Sequence, residues 1–203
     1  MKESIKILIR DLDFESISEE RYTVLNSLVS YLKESEIQKK VPKLNFICTH
    51  NSRRSQFSQL WCTVMSHFYT FPVECFSGGT AVTACNERTV ASLKRFGFDI
   101  ESTNNGENPI YVVSIHEEIQ LELYSKLFDA QENPSEDFAA VMTCSDADES
   151  CPIIPGCNER IPLRYEDPKL FDDTDLEETM YDKRSLQIAR EMKYVFTKVI
   201  NNE

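Results

Sequence analysis

Leu25, Leu28, Val29 and Leu32 recur at helical spacing on one face, behind Ser18 as an N-cap and with Glu19 and Glu20 in the first turn. Ile5, Leu8, Ile9 and Leu12 fit a shorter helix before it, although Ile5, Ile7 and Ile9 also fit strand alternation. Pro42 closes the segment, so residues 1–43 are expected to form a helical N-terminal extension packed on a main body of residues 44–203. From Leu44 the pattern changes to a short apolar run, Leu44 to Ile47, then a polar loop, Cys48 to Arg54. An amphipathic helix follows from Ser55 to Tyr69, with Leu60, Trp61, Val64 and Phe68 on its apolar side. Val73 to Ser77 reads as a second strand ending at Gly78 and Gly79, and a helix from Asn86 to Phe96 stops at Gly97.

Alternation at Ile110 and Val112, and again at Ile119, Leu121 and Leu123, predicts a β-hairpin insertion, with a helix from Glu117 as the competing reading. Phe138 to Thr143 and Arg160 to Tyr165 supply two further strands, with a polar loop between them. Leu186, Ala189, Met192, Phe196 and Val199 mark a C-terminal helix. The order of elements predicts a three-layer α/β/α domain around a roughly four-stranded, mainly parallel sheet, because strand, helix, strand units cross over right-handed.

Composition narrows the function. No apolar run is long enough to span a bilayer or to form a signal-peptide core, so the chain is expected to be cytoplasmic and free of membrane contact. There its seven cysteines would be reduced and more often catalytic, redox-active or metal-binding than structural. The net charge of −12 is uneven: Asp129 to Asp182 holds 16 acidic residues against Arg160, Arg164 and Lys169. That balance argues against nucleic acid, and its plainest reading is solvated surface.

Of the seven cysteines, only Cys48 is followed six residues later by an arginine and then a serine, Arg54-Ser55, between a strand and a helix. A loop curling from strand to helix N-terminus turns its backbone N–H groups inward and makes a nest for a tetrahedral oxyanion, here from Thr49, His50, Asn51, Ser52, Arg53 and Arg54. Those donors and the helix end favour a thiolate at Cys48, which suits a nucleophile. The Arg54 guanidinium offers the bidentate contact that two oxyanion oxygens accept, and Ser55 can hydrogen-bond the sulfur.

The segment FICTHNSRRSQFSQLW resembles the phosphate loop of the low-molecular-weight protein tyrosine phosphatases and of the thioredoxin-coupled arsenate reductases that share their fold. The likeness to the reductases is the greater, in Cys48-Thr49, Asn51-Ser52 and Arg54-Ser55-Gln56. Ser77-Gly78-Gly79-Thr80, Cys144 to Cys151-Pro152, and Asp167-Pro168 extend it over roughly residues 44–200, leaving residues 1–43 and 100–137 outside it. The resemblance implies the low-molecular-weight phosphatase fold, an arsenate or phosphate-ester substrate, and Asp167 as the general acid. It also implies that Cys144 attacks a thiolate–arsenic adduct on Cys48, that Cys151 resolves the resulting disulfide, and that a thioredoxin-like protein is the reductant. Competing readings of Cys144 and Cys151 are inert packing thiols or a zinc site with Cys157, the latter lacking a C-x2-C pair and a nearby histidine. No metal or other cofactor is expected.

Departures from the family pattern carry their own expectations. Arg53 replaces a frequent cysteine and His50 a small residue, making the nest more cationic. Gln59 stands where the reductases carry a glutamate that helps hold potassium, so that ion is not expected. Lys169-Leu170 stands where vertebrate-type phosphatases have two tyrosines. Cys157 is an extra thiol able to misdirect the disulfide, whereas Cys62, Cys75 and Cys85 read as packing residues, and His67 and His116 as isolated.

Overall fold

The computed structural model describes residues 1–116, 119–150 and 153–201. Strand β1 (Lys43–Cys48) leads into helix α3 (Arg54–Phe68), and β2 (Glu74–Gly79), β6 (Phe138–Met142) and β7 (Cys157–Ile161) complete a parallel sheet in the order β2-β1-β6-β7. The strands alternate between two apolar clusters, as a period of two requires. Leu44, Phe46, Ala139 and Val141 face the larger cluster, and Ile47, Phe138, Ala140 and Met142 face the smaller one.

Helices α1 (Glu3–Asp11), α2 (Glu19–Ile37) and α6 (Glu177–Ile200) join α3 in the larger cluster. Trp61 is fully buried there and donates to Ser185 Oγ at 2.9 Å, which satisfies its one polar atom. The first element is a helix: Ile5 and Ile9 are buried, whereas Ile7, which strand alternation would have placed beside them, is half exposed. Helix α2 is tied to the rest by Arg21, which binds the buried Glu191 of α6 through Nε at 3.0 Å and Nη2 at 2.6 Å and donates to the Arg164 carbonyl at 2.7 Å.

Helix α4 (Glu87–Arg95) opens on Asn86, whose side chain accepts from Arg88 N, and closes before Gly97 at φ +94. Strands β3 (Asp99–Ser102), β4 (Tyr111–His116) and β5 (Ile119–Leu123) make a separate antiparallel sheet, so the hairpin reading of 110–123 holds and a third strand joins it. Glu117 and Glu118, between β4 and β5, lie outside the described residues, as do Cys151 and Pro152.

Two expectations are corrected. The strand predicted for Arg160 to Tyr165 is instead β7, ending at Ile161, because Pro162 has no N–H to give to the ladder. The polar stretch after Cys144 is not an open loop in its described part but helix α5 (Ser145–Ser150). Ala147 is fully buried in the smaller cluster, and Asp148, also buried, is held by Arg160 and by Arg164 Nε at 2.6 Å. Much of the acidic stretch is likewise paired: Asp167, Asp172, Asp173, Glu177 and Asp182 each face an arginine. Among the described residues no helix is long and apolar enough to cross a membrane.

Candidate active site

Parallel strands put their carboxyl ends together, and the predicted chemistry gathers there. Cys48 ends β1, Thr143 and Cys144 follow β6, Gly79 ends β2, and Asp167 lies beyond β7. The approach of β2 to the loop explains Gly79: a Cβ there would lie 2.7 Å from the Thr49 carbonyl and 2.8 Å from Asn51 N.

The Cys48 sulfur is buried and takes a hydrogen bond from Asn51 N at 3.1 Å, with Ser55 Oγ also 3.1 Å away. Asn51 adopts φ +46, a conformation that asparagine tolerates and that turns its N–H inward. Its side chain does not reach for an oxyanion. Nδ2 donates to Ser55 Oγ and Ser77 Oγ, each at 2.9 Å, and Oδ1 accepts from Lys126 N at 3.0 Å. Because Ser55 accepts from this amide, its own hydroxyl proton is left to point at sulfur.

Below this layer Ser77 donates to Gln59 Oε1 at 2.6 Å, and Gln59 Nε2 donates to the Cys75 carbonyl at 3.0 Å. Gln59 is therefore a brace beneath the loop. Gln56 does similar work, donating to the carbonyls of Asn51 and Tyr124, both at 2.8 Å. Ser77, Gln56 and Lys126 are parts of the site that motif reading did not assign. Ser77 and Gln56 stood in segments that carry the family likeness, and Gln56 is polar on a buried helix face, whereas nothing in the sequence pointed to Lys126.

Arg54, the first residue of α3, is buried, with Nη1 on the Tyr165 carbonyl at 3.1 Å and Nη2 on Asp167 Oδ2 at 2.6 Å. Its Nε is buried and has no partner among the described residues. Asp167 also caps the 3-10 turn Pro168–Phe171 by accepting from Lys169 N at 3.1 Å. The residues expected to bind oxyanion and to supply the acid are thus in direct contact. Arg53 departs from expectation: its guanidinium is engaged by Tyr181 Oη at 2.6 Å and Asp172 Oδ2 at 3.1 Å, so it is neutralised and not an added cation of the nest. The hydroxyl of Tyr181 donates to Asp172 Oδ1 at 2.7 Å, and burial with that carboxylate pushes its pKa up. His50 is exposed, and its carbonyl accepts from Ser125 Oγ at 2.7 Å.

Cys144 is fully buried with Sγ 3.5 Å from Thr49 Oγ1, and Ala147 N donates to it at 3.4 Å from the first turn of α5. A second thiol therefore stands against the Cys48 loop. Cys62, Cys85 and Cys157 are less suited to reaction. Burial pushes Cys85 up to about 12 and raises Cys62, beside Cys75, and Cys157. Cys48, Cys62, Cys75, Cys85, Cys144 and Cys157 are all free thiols. Beside the nest a cavity of about 460 Å³ is lined by His50, Ser52 and Arg53, by Cys85 and by Tyr111 and Lys169. No group of metal-ligating side chains occurs among the described residues.

No family model matches the chain. An arsenate reductase of Staphylococcus epidermidis is 29% identical over 124 residues, 61% of this chain and 76% of that protein. One of Staphylococcus haemolyticus is 27% identical over the same lengths. Among solved structures, a low-molecular-weight phosphotyrosine phosphatase from Vibrio cholerae matches with a TM-score of 0.51 at 11% identity, over 79% of this chain and 97% of that one. That likeness concerns the fold, which is the one the loop motif implied. The curated relatives support the family placement suggested by the residues around Cys48.

Proposed function

We propose that this chain, a relative of the arsenate reductases built on the low-molecular-weight phosphatase fold, reduces arsenate through a thiolate–arsenic adduct on Cys48. The observation that carries the reading is the buried Cys144 thiol beside Thr49, since phosphoester cleavage needs no second thiol. Cys48 attacks arsenic, and the oxyanion takes up the nest N–H groups and Arg54, whose buried Nε has no partner among the described residues. Asp167 protonates the departing hydroxide as water. Cys144 then attacks the Cys48 sulfur: an S–S bond forms, the S–As bond breaks, and arsenic leaves as arsenite with the electron pair. Cys151, outside the described residues, is assigned by the family resemblance to resolve that disulfide, and a thioredoxin-like protein to reduce the product.

A second reading, hydrolysis of phosphotyrosine or small phosphoesters through a phosphocysteine, needs only Cys48, Arg54, Ser55 and Asp167. It is favoured by the cavity beside the nest, which has room for an organic substituent that arsenate lacks. A third, binding of an oxyanion without turnover, uses the nest alone. Parallel assays of arsenate and p-nitrophenyl phosphate, with and without thioredoxin, separate them. Reductant-dependent arsenite supports the first, phosphate release alone the second, and binding without either the third.

In either enzymatic reading Asp167→Asn removes the acid. The expected loss is roughly 100- to 10,000-fold for esters with poor leaving groups and much less for p-nitrophenyl phosphate, whose leaving group needs little protonation. An equal loss across a leaving-group series would make Asp167 structural.

A further inference from the structure

Arg53 and Arg54 are consecutive in the nest, and they hold two aspartates at opposite ends of one segment, Asp172 and Asp167. Arg54 has two tasks that compete, because the guanidinium that binds Asp167 is the one the proposed reaction gives to the oxyanion. When the oxyanion enters, the Asp167 tie weakens, and something else must keep the acid over the nest.

Resting on that enzymatic reading, we propose that Arg53 is the positioning residue which keeps the Asp167 segment docked while Arg54 turns to the oxyanion. Its contacts fit that task. The side chain is 11% exposed and is fixed by Tyr181 Oη and Asp172, while Tyr181 donates to the other oxygen of the same carboxylate, closing a three-membered network. Asp172 immediately follows the turn capped by Asp167, and its N–H donates to the Lys169 carbonyl at 3.0 Å. The next residue is anchored too: Asp173 meets Arg88 Nη2 at 2.6 Å, and Arg88 Nε reaches Glu177 at 2.6 Å. The far end of the acid segment is thus tied to α4 and α6 independently of Arg54, and Arg53 links that anchor to the loop carrying the nucleophile. A guanidinium is suited to this because it donates in two directions from one plane, which an ammonium does not match.

The test is Arg53→Met in the otherwise native chain and in an Asp167→Asn background, with single-turnover rates and the affinity for inorganic phosphate measured on each. In the native background the rate is expected to fall roughly 10- to 100-fold, the scale of a misplaced catalytic group, while phosphate affinity stays within about twofold. In the Asp167→Asn background the same change should cost little more, because there is no acid left to position. Arg53→Lys should recover part of the rate. A loss of phosphate affinity in step with rate would make Arg53 an oxyanion ligand, and an undiminished effect in the Asp167→Asn background would also overturn the proposal. If the native chain turns over neither arsenate nor esters, the enzymatic reading fails by itself. Amide exchange over residues 167–173 then decides: faster exchange in Arg53→Met upholds the tether, and unchanged exchange overturns it.

Discussion

Replacing Cys48 by serine is expected to abolish turnover of arsenate and of phosphoesters alike, by at least about 10,000-fold, with the fold unchanged. The serine oxygen would occupy the place of a buried sulfur that already accepts from Asn51 N and faces Ser55 Oγ, so packing and hydrogen bonding survive. What is lost is the sulfur nucleophile, since a serine hydroxyl attacks far more weakly at neutral pH. Thermal unfolding and phosphate binding should remain close to those of the native chain. That contrast separates loss of the nucleophile from loss of the nest. Appreciable turnover by the variant would move the nucleophile elsewhere.

Cys144→Ser is expected to end arsenate reduction beyond the adduct while leaving p-nitrophenyl phosphate hydrolysis within about twofold of native. Water regenerates the Cys48 thiolate in the hydrolysis, whereas reduction needs a second sulfur to supply the electrons. The structure makes Cys144 the described thiol best placed for this. It lies against Thr49 in the nest loop, with a helix N–H on its sulfur. The first turn of α5, whose Ala147 N–H donates to the Cys144 sulfur, is anchored by buried Ala147 and by Asp148 between Arg160 and Arg164. Measured arsenite release by Cys144→Ser at the native rate would remove the relay and favour the phosphatase reading.

The Cys48 loop was legible because its parts are adjacent in the chain. A strand, a cysteine, an arginine six residues on and a helix are all local, and the structure joins them as read. The supports were not legible. The Tyr165 carbonyl that orients Arg54 is 111 residues away, and Ser77 reaches Asn51 only because β2 pairs with β1. Arg53 beside an oxyanion nest reads as a ligand, and only its distant partners Tyr181 and Asp172 show that it is engaged elsewhere. Helix α5 was missed because six small and polar residues carry no apolar period. Its order comes from one buried alanine and an ion cluster supplied by a later part of the chain. Residues 1–43 gave a readable helix but no hint that Arg21 would meet Glu191 and the backbone leading to Asp167.

The central claim is that Cys48 and Cys144 act together on an arsenic oxyanion. It is tested most directly by giving the native chain about one equivalent of arsenate without reductant, then counting thiols, assaying arsenite and mapping disulfides by tryptic mass spectrometry. The account predicts about one arsenite per chain, the loss of two thiols, and a disulfide containing Cys144, either to Cys48 or resolved onto Cys151. Full retention of thiols with arsenate unchanged, in a preparation that hydrolyses p-nitrophenyl phosphate, would contradict it.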